Sequence, residues 1–167
     1  MRYLYLILIL SLFWGCAQNA SVEIGFNDGV ILAGTFGDMI IRVSKIEAFQ
    51  NAQYTTIWEN GNTVSVPVNG SDFCSITGNY VSIVPGTYRK FRVTIDSLSY
   101  KIDNTVVLLL DSNYQFIPTA FSDIVIEDGD EYRLVIGISS SSWFESESLR
   151  IKPGHSPFEN ATLKIFY

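Results

Sequence analysis

His155 is the only histidine in the chain, and Cys16 and Cys74 are the only thiols. A serine nucleophile would have that one base to draw on, and no Gly-x-Ser-x-Gly elbow supplies the strained turn on which such a serine sits. The serine-rich stretch 139–142 reads as a loop or strand end. A typical zinc site wants three or four nitrogen or sulfur ligands, more than one histidine and one spare cysteine provide, and no glycine loop of the phosphate-cradling kind is present. Carboxylates remain. Glu127, Asp128, Asp130 and Glu131 surround Gly129 and offer the hard oxygens that calcium takes. The full spacing of a calcium loop is missing, so Asp128 and Asp130 are weak candidate ligands on what reads as a solvated hairpin tip. A glycosidase-type carboxylate pair leaves no trace in sequence, because its members meet only in space. The expectation is a non-catalytic chain without a metal.

Cys16 is set apart by what precedes it. Arg2 gives a short positive start, residues 3–14 are almost wholly apolar, and Gly15 places a small residue before the thiol. Twelve residues rise only about 18 Å as a helix, short of the roughly 30 Å of a hydrocarbon core. The segment resembles a bacterial lipoprotein signal, in which Cys16 would carry the lipid after cleavage. It departs from that pattern at Phe13 and Trp14, with Leu12 one residue early. Secretion with cleavage near Ala20 and an uncleaved anchor are the alternatives. Two or more acyl chains hold a protein stably where one is marginal. Ala17 after the cysteine, in place of Asp, resembles the sorting pattern for an outer-membrane or cell-surface destination. The covalent lipid at Cys16 is the only non-protein group expected, and the membrane, reached through it, the first partner.

This divides the chain into a signal at 1–15, a lipidated N-terminus and short tether at 16–21, and one domain at 22–167, long enough for a single core. Removing the signal takes Arg2 with it and leaves ten basic against 17 acidic side chains. Such a balance repels phosphate backbones and anionic headgroups, so nucleic acid is not an expected partner, and lipid rather than charge would hold the domain at a membrane. If Cys16 is acylated, Cys74 has no disulfide partner; if it is not, a Cys16–Cys74 bridge is conceivable. Otherwise Cys74 reads as a small buried hydrophobe.

The elements that must position any site are strands. Short alternating runs separated by Gly, Asn, Asp and Pro predict an all-β fold, an antiparallel β-sandwich of about 7–9 strands behind the signal helix. Met39, Ile41 and Val43 alternate, and 46–49 continues them with a change of phase. Asn60-Gly61 reads as a two-residue hairpin turn that sets Ile57 opposite Val64 and Trp58 opposite Thr63. In the run 88–102, Phe91, Val93 and Ile95 share one parity and Leu98, Tyr100 and Ile102 the other, which predicts a bulge at Asp96-Ser97. Tyr132, Leu134, Ile136 and Ile138 alternate within 131–139. Further strands are predicted at 105–110, 114–118, 122–127, 149–152 and 161–167.

Four blocks carry a family resemblance: Val43-Ser44-Lys45-Ile46-Glu47-Ala48-Phe49; Pro85-Gly86-Thr87-Tyr88-Arg89-Lys90-Phe91-Arg92-Val93; Ile126-Glu127-Asp128-Gly129-Asp130-Glu131-Tyr132-Arg133-Leu134; and Leu149-Arg150-Ile151-Lys152-Pro153. Together they resemble the bacterial lipoprotein domain of unknown function 4382, over roughly residues 22–153. The resemblance implies a transthyretin-like or carbohydrate-module-like sandwich on a surface lipoprotein and no catalytic residues.

Aromatic side chains are the remaining candidates for binding. With the hairpin above, and with Val64, Val66 and Val68 facing the core, Tyr54 and Trp58 would stand on the outer face about 13 Å apart, suited to a sugar ring or a protein surface. Trp143-Phe144 beside the serines is a second candidate pair. Against both stands the tendency of large rings to be buried. Lys90, Arg92 and Arg133 read as a solvated face. The sequence therefore predicts a lipid-anchored sandwich that binds a glycan or an envelope protein, with a purely structural envelope role as the alternative and a carboxylate-pair hydrolase as a distant one.

Overall fold

The computed structural model describes residues 18–29, 36–68 and 70–167. The leader and Cys16 lie outside the described residues. Along the chain run β1 (Ala20–Asn27), β2 (Asp38–Gln50), β3 (Gln53–Trp58), β4 (Asn62–Pro67), β5 (Cys74–Ser75), β6 (Val81–Ile83), β7 (Gly86–Tyr88), β8 (Lys90–Ile102), β9 (Thr105–Leu110) and β10 (Tyr114–Phe116). They are followed by β11 (Thr119–Ala120), β12 (Ile124–Ile126), β13 (Glu131–Gly137), the single helical turn α1 (Ser140–Trp143), β14 (Phe144–Glu145), β15 (Arg150–Ile151) and β16 (Thr162–Phe166).

These strands build an all-β sandwich. The first sheet runs β11-β16-β13-β1, with β5 and β6 end to end along the far edge of β1. The second has β8 and β2 at its centre; β3 and β4 lie end to end beyond β2, and β9 and β10 end to end beyond β8. End-to-end segments share one place, so the two sheets have nine strand positions, within the expected range. Most pairs are antiparallel, but β1 with β13 and β11 with β16 run parallel. Val22, Ile24 and Phe26 of β1 and Tyr132, Leu134 and Ile136 of β13 meet Met39, Ile41 and Val43 of β2 and Val93, Ile95 and Leu98 of β8 in one buried cluster.

The long β2–β8 pair holds its apolar side inward by spending two extra residues. Arg42 pairs with Ser97 and Val43 with Ile95, which leaves Asp96 as the extra residue at the predicted bulge. Lys45 then pairs with Thr94, so Ser44 is the second extra residue and changes the phase of β2.

The Asn60-Gly61 hairpin is corrected. The chain reverses at Asn51-Ala52, whose φ values of 51° and 63° make the two-residue turn between Gln50 and Gln53. Both β3 and β4 then run antiparallel to β2, so the chain passes Asn60-Gly61 without reversing. A reversal there would leave the edge of β2 near Ile41 without hydrogen-bond partners. In the continued direction Trp58 shares the parity of Val64, Val66 and Val68 and joins them in the core. The tether is corrected as well: Ala20 and Ser21 are the first residues of β1, Ala20 is buried, and the Ser21 N–H donates to the Asp130 carbonyl at 2.9 Å.

Candidate functional site

The aromatic candidates read from the sequence are not brought together. Trp58 is 6% exposed, Trp143 0% and Phe144 2%, so none of the three is displayed. Trp143 donates its Nε1–H to the Ile138 carbonyl at 2.9 Å and packs on Phe158 with ring centres 5.4 Å apart, while Phe144 packs on Tyr100 at 4.6 Å. The turn of α1 folds the serine-rich segment inward, which carries both rings into the core. Tyr54 alone is half-exposed, on the outer face of the second sheet. There Phe49 lies 5.0 Å from its ring and the Arg92 guanidinium 4.0 Å above it.

The acidic tip is also accounted for. Asp128 and Asp130 are exposed around Gly129, whose φ of 78° makes the turn, and Asp130 accepts a hydrogen bond from the Tyr132 hydroxyl at 3.3 Å. Among the described residues no group of three or more His, Cys, Asp or Glu side chains is placed to hold a metal ion. His155 pairs with Glu159 at 2.6 Å. Cys74 is half-buried; burial, then the charges of Asp72 and Asp38, push its thiol up, away from the reactive thiolate.

A groove lies on the outer face of the first sheet. Alternation sends Glu23, Gly25 and Asn27 outward from β1; in register with them stand Arg133, Val135 and Gly137 of β13, then Phe166, Lys164 and Thr162 of β16. The middle of this face is low because Gly25 and Gly137 carry no side chain. A Cβ at Gly25 would come within 2.5 Å of the Phe73 ring and 2.6 Å of the Cys74 carbonyl, and one at Gly137 within 2.7 Å of Thr162 Oγ1. Phe73 can therefore lie across β1, and it carries the Arg133 guanidinium 4.6 Å above its ring, with Arg133 Nη2 donating to Glu23 at 3.1 Å.

Two adjoining cavities follow from this floor and share Asn27, Val135 and Phe166. One of about 420 Å³ reaches Phe73, Tyr80 and Tyr167, and one of about 250 Å³ reaches Phe121 and Lys164. Along their rims Tyr80 is 46% exposed, Phe166 50%, Phe121 78% and Tyr167 90%. At the end of the groove, Asp28 is buried and accepts hydrogen bonds from the Ser140 N–H at 2.8 Å and the Ser140 hydroxyl at 2.6 Å, which pins α1 to the end of β1. Burial pushes the Asp28 carboxyl up, and the two Ser140 hydrogen bonds offset part of that. The groove thus offers flat apolar rings beside amide, hydroxyl, carboxylate and ammonium groups that orient a ligand by hydrogen bonds.

Sequence reasoning missed Phe73, Tyr80, Phe121, Phe166 and Tyr167. Two signals pointed toward them: Gly25 and Gly137 inside strands mark close approach of another group, and Phe166 is out of phase with the core residues Leu163 and Ile165. Comparison with protein-family models, with curated proteins and with solved structures finds no match.

Proposed function

We propose that this is a lipid-anchored cell-envelope protein whose sandwich binds a glycan, without catalysis, in the groove on the outer face of the first sheet. One observation carries the reading: four exposed rings, Tyr80, Phe121, Phe166 and Tyr167, stand on the rim of a depression floored by glycine and valine. A contiguous apolar patch of this kind marks an interaction surface. Rings stack on the apolar faces of sugars, and Asn27, Glu131, Arg133 and Thr162 supply partners for hydroxyls.

The anchor rests on the leader and Cys16. Only Ala17, Gln18 and Asn19 separate Cys16 from β1, so a lipid there would hold the Ala20 end of the sandwich within about 14 Å of the bilayer surface. The resemblance to domain of unknown function 4382 supports the same placement. Acyl labelling that is sensitive to globomycin and lost in Cys16→Ser checks the anchor, and protease shaving of intact cells checks surface display. For the groove, Phe121→Ala combined with Phe166→Ala is expected to weaken glycan-array binding by tenfold or more, on the order of 1.4 kcal/mol, with an unchanged melting temperature. No glycan bound, or binding undiminished in the double variant, removes the glycan reading in favour of a structural envelope role.

A further inference from the structure

The outer face of the second sheet has a different chemistry. Arg42 and Lys45 of β2 and Lys90, Arg92 and Lys101 of β8 stand on it, five of the chain's 11 basic residues in a protein of net charge −6. The carboxylates of this face are Glu47, Asp96 and Asp38. Glu47, only 6% exposed, accepts from Arg92 Nε at 2.7 Å and Nη2 at 2.9 Å, with Lys45 at 3.7 Å. Asp96 faces Arg42 at 3.6 Å, and Asp38 accepts from the Ser65 hydroxyl at 2.7 Å. Glu47 and Asp96 are thus paired with cations, whereas Asp38 stands across from Lys101 in register; Lys90 and Lys101 are exposed cations without an ion pair among the described residues, and Lys90 lies 6.0 Å over the Phe49 ring.

Two further features mark the middle of this face. The bulges at Ser44 and Asp96 fall within a few residues of each other, and bulges re-aim side chains. Between them Thr94, 7% exposed and in register with Lys45 and Gln115, has a hydroxyl that is buried beneath the face and has no hydrogen-bond partner among the described residues. The cations follow the strands: Lys90 and Lys101 sit near opposite ends of β8, roughly 35 Å apart at the usual rise per residue.

We propose that this face binds an extended acidic polysaccharide, a chain bearing uronate carboxylates. Its carboxylates pair with Lys90, Lys101 and the exposed Arg42, while its sugar rings lie over the Phe49 and Tyr54 edge. Charge density favours this partner over nucleic acid. Phosphates at about 3.4 Å along a strand would meet Glu47, Asp96 and Asp38 more often than carboxylates set one or two sugars apart, and the face carries five cations against those three acids. The face is on the sheet opposite the aromatic groove and stands independently of it.

The test titrates the full-length protein, in neutral detergent at low salt, with oligogalacturonate, with dextran as uncharged control and oligo-dT as phosphate polymer. Oligogalacturonate is expected to bind with an affinity that falls as salt rises. Arg42→Ser/Lys90→Ser/Lys101→Ser should weaken it about tenfold or more, and Lys90→Ser alone, which breaks no ion pair, about threefold, both with unchanged melting temperature. Phe121→Ala should leave it intact. Absence of oligogalacturonate binding, equal binding by the folded triple variant, equal binding of dextran, or tighter binding of oligo-dT would each overturn the proposal.

Discussion

The outer faces of the two sheets obey the same alternation yet present opposite surfaces, rings in a depression on one and cations along a flat ladder on the other. The difference lies in how each sheet makes room. On the first, Gly25 and Gly137 remove side chains from the middle of paired strands, so Phe73 lies across the backbone and Phe166 and Phe121 are left standing beside a cavity. On the second no glycine interrupts β2 or β8; extra residues at Ser44 and Asp96 shift the phase instead, and arginine and lysine stems fan over the pleat. Subtracting side chains from a sheet produces a cleft, and adding backbone residues produces a re-aimed surface. Both faces stand on one core.

The largest expected effect tests that shared support. Trp143→Ala should cost about 3–5 kcal/mol in denaturant unfolding, because a fully buried ring packed on Phe158 and Phe144 leaves a cavity. Ligand binding at both faces should then fall together with the folded fraction; loss at one face alone would show that the two do not share a support. Gly25→Val should cost about 1–3 kcal/mol, since the new side chain meets the Phe73 ring and the fixed Cys74 carbonyl. By displacing Phe73, which lines the larger cavity, it should weaken binding in the groove while oligogalacturonate binding per folded molecule is kept.

The smallest effect concerns the second face. The Arg92 hydrogen bonds hold the Glu47 carboxyl below the usual glutamate range, against the opposing pull of burial. Its contribution to stability is therefore present above the unfolded-state value and is lost as pH falls through the lowered folded value. Glu47→Gln should remove that acid-range slope and cost about 1 kcal/mol at neutral pH, a modest figure because Arg92 is partly solvated. Unfolding curves across the acid range check it; an unchanged slope would mean that Glu47 does not couple to folding.

Local pattern made much of the sandwich legible. The parity switch between Ile95 and Leu98 located the Asp96 bulge, the alternation from Tyr132 to Ile138 located β13, and the span 105–110 coincides with β9. What failed was decided by partners distant in the chain. Asn60-Gly61 has the strongest local turn signature, but the exposed edge of β2 needed β4 to continue past it, and Ala52, at a φ that disfavours alanine, gave no sign of the true reversal. The site was least legible. Phe73, Tyr80, Phe121, Phe166 and Tyr167 come from separate segments and converge only through the β5/β6–β1–β13–β16 order, so no spacing in the sequence links them. Trp143 and Phe144 read as a display pair because their serine neighbours are polar; the inward turn of α1 is a tertiary feature.

The parallel pairing of β1 with β13 also bears on when the molecule can fold. Glu23 finds Arg133 across 110 positions of chain, and β13 in turn needs β16, near the last residue. One edge of β1 can meet β5 and β6 early, but its other edge waits for β13. Such non-local pairing closes slowly, so the first sheet is complete only after β13 and β16 have joined β1. The second sheet, whose strands all lie between residues 38 and 116, has no such wait.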